Sequence, residues 1–278
     1  MLGTDIMKSY YDEGFCVIRD GLPKKKLLAV LREMDAIFAN LLTANDTHPV
    51  PFKGDETIYQ NMQILFKKDV QLYLAAARHI SKLACLQNLV SCEEVLKIAS
   101  QFNIRHPSIP SSPVVHISSE KLQIPGGYYG VVPHQDWTSI QGGLGSIIMW
   151  IPFMDIGLNR FPLEIIPGSH KQGLWGGKIE EHTFSIDPSL YDKKDFVRNE
   201  VNLGDILIMS VFTVHRTGLE NCSDLRIASS TRYESADEPS FVARGYPCAY
   251  KRTVQREFIT PDFPSKEQAL AMFSDNKN

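Results

Sequence analysis

The chain changes its period near Pro107. Before that point apolar residues recur every three or four positions, as they do along one face of a helix. After it they come in short runs separated by Gly, Pro, Asn, Asp and Ser, as strands do: Val114 to Ser118, Lys121 to Ile124, Ser146 to Pro152, Leu163 to Pro167, Phe196 to Val201, Asp205 to Val211 and Leu225 to Glu234. Strands and helices do not alternate in βαβ fashion and nothing repeats internally. The expected class is therefore mainly β with flanking helices, a sandwich or barrel preceded by a helical region.

In the helical part, Pro23 to Leu42 places Leu27, Leu31, Met34, Phe38 and Leu41 at helical spacing, with Pro23 acceptable in the first turn. Lys24-Lys25-Lys26 at its positive end reads as a solvated charge run. A second helical block spans about 70 to 90, and Ser91-Cys92-Glu93-Glu94 reads as a capping box opening a short helix through Ala99. Ser265-Lys266-Glu267-Gln268 reads as another cap. Residues 43 to 61, rich in Asn, Asp, Thr, Pro and Gly, are expected to form a loop.

The chemistry concentrates in His134-Gln135-Asp136, His215 and Arg226. Residues two apart in a strand face the same way, so His134 and Asp136 can reach one ion while Gln135 faces away. Two imidazoles and a carboxylate can hold one face of an octahedral metal and leave the other open. A bare His-x-Asp is common, and most such pairs make ordinary surface or core hydrogen bonds. The setting is more specific: a Gly-rich aromatic stretch, Gly126-Gly127-Tyr128-Tyr129-Gly130, precedes His134, and the apolar run Ile206-Leu207-Ile208-Met209 precedes His215. Arg226 offers the bidentate fork that grips a carboxylate.

The order Pro133-His134-Gln135-Asp136-Trp137, Trp150, Pro167-Gly168-Ser169-His170, Gly204-Asp205, His215, Thr217 and Arg226 resembles the phytanoyl-CoA dioxygenase family, well over residues 112 to 233 and loosely before them through Gly14-Phe15-Cys16-Val17-Ile18 and its flanking helices. The resemblance implies a double-stranded β-helix (jelly-roll, cupin-like) core with an N-terminal helical region. It implies an Fe(II)- and 2-oxoglutarate-dependent dioxygenase that hydroxylates an unactivated C–H of a small-molecule metabolite, consumes O2, and releases succinate and CO2. By the same resemblance His134, Asp136 and His215 are the metal ligands and catalytic centre, Arg226 binds the distal carboxylate of 2-oxoglutarate with Thr217 as helper, and Trp150 walls the cosubstrate pocket. Asp136 fills the position that a halide-binding variant of this chemistry needs vacant. The segment Phe161-Pro162-Leu163-Glu164 departs from the family's usual Gly-x-Leu beside the active-site mouth.

One domain over 1–278 is expected: a mostly helical region over 1–105 packed on a β core at 112–235, with a C-terminal extension over 236–278. The other readings are a Zn-type hydrolase or isomerase using the same triad, and a non-catalytic binding protein on the same fold. His170, His79 and His116 are expected to be structural. Read from residue type alone, Trp137 and Trp150 suit core packing as well as cosubstrate contact, with Tyr128 and Tyr129 weaker candidates for contact, and Arg232 and Arg244 read as solvated surface or, failing that, contacts to an anionic substrate. The hydrophobic fraction of 43%, charged fraction of 22% and net charge of -3 describe an ordinary globular protein with no electrostatic footprint for nucleic acid. No stretch approaches 18 apolar residues, and the five cysteines show no Cys-x-x-Cys spacing, so a cytoplasmic protein with reduced thiols and no membrane partner is expected.

Overall fold

A computed structural model of the chain describes residues 3–124, 130–179, 184–250, 260, 261 and 264–268. The helices are α1 (Thr4–Glu13), α2 (Lys24–Ala44), α3 (Asp55–Lys68), α4 (Val70–His79), α5 (Ala84–Val90), α6 (Glu93–Gln101), α7 (Trp137–Ile140) and α8 (Pro239–Ala243). The strands are β1 (Phe15–Ile18), β2 (Pro107–Ser108), β3 (Val114–Ser118), β4 (Ile147–Pro152), β5 (Leu163–Ile165), β6 (Gly177–Ile179), β7 (Phe184–Ile186), β8 (Val197–Asn199), β9 (Ile206–Ser210), β10 (His215–Thr217) and β11 (Arg226–Ser235).

The period of the first third is realised in α2, which buries Leu27, Val30, Leu31, Met34, Phe38 and Leu42. Its apolar stripe ends on Leu42, with Leu41 half-buried. Asp69 caps α4 by accepting from Gln71 N at 2.8 Å and Leu72 N at 3.1 Å. The expected 70–90 block is interrupted by a 3-10 turn over Ile80–Lys82. Three expectations are corrected. The loop expected over 43–61 stops at Gly54, because Asp55 and Glu56 at one end and Lys67 and Lys68 at the other suit the helix dipole of α3, and Ile58, Met62 and Leu65 form its buried stripe. The cap of α6 is Cys92, because Ser91 Oγ is taken by Gln87 O of the preceding helix at 2.7 Å. Lys121 to Ile124 opens as a 3-10 turn, Glu120–Leu122, started by Ser119. The cap read at Ser265 is present: Gln268 N donates to Ser265 Oγ at 3.2 Å and Ser265 N to Gln268 Oε1 at 2.8 Å.

The strands form antiparallel sheets. The larger runs β1-β9-β4-β11, with β3 and β2 both paired to β11. The smaller runs β10-β5-β8. β1 reaches the larger sheet because Gly14, at φ +84°, ends α1 with its N–H on Tyr10 O and turns the chain directly into a strand. The apolar runs of β4 and β9 are buried on both faces, one toward the helices and one toward the second sheet. β11 is buried along its whole length as well, yet Arg226, Ser229, Ser230, Thr231, Arg232, Glu234 and Ser235 belong to it. A polar strand in a buried position must have partners, and those partners define the site.

The unexpected Glu164 is part of this framework. Its carboxylate lies 2.8 Å from Arg198 Nε and 2.6 Å from Arg216 Nε, directly across β8 and β10, so one acid ties three strands together. Arg216 also lies over the Phe196 ring, 3.8 Å from its centre.

Candidate metal centre

His134 and His215 come together through backbone pairing. They face each other in an isolated antiparallel bridge, His134 N donating to His215 O at 3.0 Å and His215 N to His134 O at 3.1 Å. Their ring centres are 4.1 Å apart. Each ring is then oriented by its own chain, His134 Nδ1 donating to Val132 O at 2.8 Å and His215 Nδ1 to Thr213 O at 3.0 Å. A carbonyl can only accept, so Nδ1 is a donor in each ring and Nε2 is the nitrogen left to face the cavity.

Asp136 joins them by a turn rather than by strand alternation, which corrects the local geometry expected of His-x-Asp. Its backbone is helical (φ -68°, ψ -22°) and leads straight into α7. Gln135 faces away, as expected, and is buried: Nε2 donates to Gly173 O at 2.8 Å and Phe212 O at 2.6 Å, while Oε1 accepts from Trp175 N at 2.8 Å. One ligand atom from each of His134, Asp136 and His215 lies within 4.8 Å of the others, all three residues being buried.

The electrostatics favour ligand-ready forms. Burial, with His134 close by, brings His215 down to about 3, so it is neutral at physiological pH. Burial alone would raise Asp136, but Arg232, the contact with His134 and the two imidazoles together hold its carboxyl well below the usual range. Two imidazole nitrogens and one ionised carboxylate form the N/O donor set suited to non-haem Fe(II).

Arg226 is 1% exposed. It donates to Phe161 O, to Ser118 Oγ at 3.0 Å and to Thr217 Oγ1 at 3.4 Å, and its guanidinium lies 6.0 Å from the centre of the Trp150 ring. Thr217 Oγ1 also accepts from Val131 N at 3.1 Å. Phe161 holds its carbonyl toward Arg226 with a left-handed backbone (φ +51°), rare for a bulky residue. Arg226, Thr217 and Trp150 line the same cavity as His134, Asp136 and His215, between the two sheets.

Two lining residues were expected elsewhere from the sequence. Arg232, expected on the surface, is 8% exposed and bonded to Asp136, and His116, expected to be structural, lines the cavity with its Nε2 2.9 Å from Ser230 Oγ. Burial, then Arg226 and Arg232, depress His116 well below its ordinary value. The missed signal was period two: with Arg226 inward on β11, Ser230 and Arg232 are inward as well. His170 is engaged with the N-terminal segment through Tyr11 O at 3.1 Å, His79 is exposed, and Trp137 stacks on Phe212. Arg244 is exposed and donates to Gln141 O at 3.0 Å and to Gly142 O. Gly126, Gly127, Tyr128 and Tyr129 lie outside the described residues. No helix among the described residues is long and apolar enough to cross a membrane.

Residues 10–228 match the family model described as Phytanoyl-CoA dioxygenase (PhyH). A phytanoyl-CoA dioxygenase of Arabidopsis thaliana is 28% identical over 244 residues, covering 80% of this chain and 84% of its own. Phytanoyl-CoA dioxygenase 1 of Oryza sativa subsp. japonica is 34% identical over 115 residues, covering 40% of this chain and 41% of its own. Among solved structures, EvdO2 from Micromonospora carbonacea var. aurantiaca, crystallised with 2-oxoglutarate, is similar with a TM-score of 0.54 at 11% identity, covering 85% of this chain and 92% of that one. That last likeness is one of fold, a jelly-roll core with helices around it.

Proposed function

We propose, from the premise that this chain belongs to the phytanoyl-CoA dioxygenase family, that it hydroxylates an unactivated C–H bond of a small-molecule metabolite. The broader class, an Fe(II)- and 2-oxoglutarate-dependent oxygenase, comes with the family. The carrying observation is that two imidazole nitrogens and a carboxylate converge on one point beside a buried arginine. Fe(II) would be held by His134, Asp136 and His215, and with 2-oxoglutarate it supplies the activation of O2, coupled to decarboxylation of the keto acid to succinate and CO2.

The chain's own residues supply position and exclusion. Arg226 is fixed by the Phe161 carbonyl, Ser118 and Thr217, so its fork is preorganised for a carboxylate, and the Thr217 hydroxyl adds a second polar contact. Trp150 closes that end of the cavity with an apolar wall. Ile148, Leu163 and Met209 add apolar lining to the same cavity, helping to keep water away from an oxidising reaction. The neutral ring of His215 binds a cation without first losing a proton.

The test is succinate formation from 2-oxoglutarate under Fe(II) and 18O2 across a panel of small metabolites, with one labelled oxygen atom expected in the hydroxylated product. His134→Ala, Asp136→Ala and His215→Ala are each expected to abolish turnover while leaving the far-ultraviolet circular dichroism unchanged. A variant that turns over normally removes its residue from the triad, and a labelled succinate with an unlabelled product removes hydroxylation.

A further inference from the structure

The inner face of β11 carries a second buried arginine, and it is bonded to Asp136. Arg232 Nη2 lies 2.9 Å from Asp136 Oδ1 and 3.0 Å from Oδ2, with side chains 8% and 2% exposed. Arg232 Nη1 donates to Ser230 Oγ at 3.1 Å, and Ser230 Oγ lies 2.9 Å from His116 Nε2. A continuous hydrogen-bonded chain therefore runs Asp136, Arg232, Ser230, His116 along one wall of the cavity.

We propose that Arg232 is a positioning residue of the metal centre, fixing the orientation of Asp136, with Ser230 holding the guanidinium in place. The proposal rests on the reading of His134, Asp136 and His215 as ligands. Two effects oppose each other. A guanidinium beside a cation site repels the incoming ion, but without its two contacts the Asp136 carboxylate would be free to rotate away from the imidazoles. The geometry decides for orientation. The cation sits on both carboxylate oxygens at once, so its charge is largely matched by Asp136, and its second nitrogen is anchored in a different direction on Ser230. Lysine has one nitrogen and no plane, so it cannot make both attachments in fixed relation.

The experiment titrates the metal-free full-length chain with Co(II) under anaerobic conditions, reading the visible absorption of the bound ion, for wild type, Arg232→Gln, Arg232→Lys, Ser230→Ala and His134→Ala. Arg232→Gln is expected to weaken Co(II) binding by about 10- to 100-fold, the usual effect of losing a partner that orients a ligand. Arg232→Lys is expected to fall between it and wild type, and Ser230→Ala to shift affinity the same way by less. At saturating metal, half-saturation by 2-oxoglutarate is expected to stay unchanged in these variants, because Arg226 and Thr217 are intact. Wild-type or tighter Co(II) binding in Arg232→Gln overturns the proposal. A raised 2-oxoglutarate requirement with unchanged metal affinity also overturns it, making Arg232 a cosubstrate contact. If Arg232→Gln does not fold, Arg232→Lys and Ser230→Ala decide by the same criteria, wild-type affinity in both being the refuting result. His134→Ala separates the two layers. If it binds Co(II) as wild type does, the ligand reading itself falls, whereas if it loses binding and Arg232→Gln does not, only the role of Arg232 falls.

Discussion

Removing the Gln135 amide is expected to loosen the whole metal centre, although Gln135 does not face the cavity. The residue is 1% exposed, and its one amide satisfies three backbone groups: the carbonyls of Gly173 and Phe212 and the N–H of Trp175. These belong to the connection after the Pro-Gly-Ser-His turn and to the stretch leading into β10, so the side chain bolts the His134–Asp136 turn to the approach to His215. In Gln135→Ala all three groups lose their partner. At roughly 1 kcal/mol net per hydrogen bond, and about 1 kcal/mol for the lost packing, the destabilisation is about 4 kcal/mol. For a chain of this size that lowers the thermal midpoint by about 8 to 16 °C. Denaturant unfolding of the metal-free protein measures the free energy, and hydrogen exchange at the Trp175 amide measures the specific contact, which should lose protection. Gln135→Glu keeps the size but turns the two donated bonds into a carboxylate facing two carbonyl oxygens, so it should cost at least as much. If the alanine variant lost less than about 1 kcal/mol, one hydrogen bond's worth, or Trp175 exchanged at the wild-type rate, the clamp would be wrong.

Three further outcomes are expected. Arg226→Ala should raise the 2-oxoglutarate requirement by an amount equivalent to about 2 to 5 kcal/mol, the usual cost of truncating a buried charged partner, and an unchanged half-saturation would refute the assignment. Glu164→Gln should destabilise the fold by about 2 kcal/mol, between the values for exposed and buried pairs, because Arg198 and Arg216 are each about a quarter exposed; the loss should shrink at high salt, checked by unfolding at two ionic strengths. His215 has a folded value of about 3 against an ordinary 6.5, so the unfolded chain binds its proton first as pH falls. The metal-free protein should therefore lose stability from pH 6.5 down to about 3, with a slope of up to about 1.4 kcal/mol per pH unit from this group, and His215→Asn should flatten that slope.

Much of the architecture is written locally. The stripe of α2, the strands β3, β4, β9 and β11, and the cap at Ser265 follow from side-chain period and from residues whose hydrogen bonding is short-range. α3 was hidden because its polar first turn reads like the loop before it, although its acidic start, basic end and the Ile58, Met62 and Leu65 stripe carry the same kind of signal. The pairing of β6 with β7 was not legible, since these three-residue strands offer too little period to detect.

The candidate site divides in the same way. The residue types at 134, 136, 215 and 226 announce a cation and a carboxylate by their chemistry alone, wherever they end up. Which groups meet is another matter, because it depends on pairing between residues dozens of positions apart. Arg226 and Arg232 are chemically identical and share one face of one strand. Only the folded arrangement gives the first to Phe161, Ser118 and Thr217 and the second to Asp136, since strand neighbours and turn geometry, not side-chain identity, decide what lies opposite each end of β11.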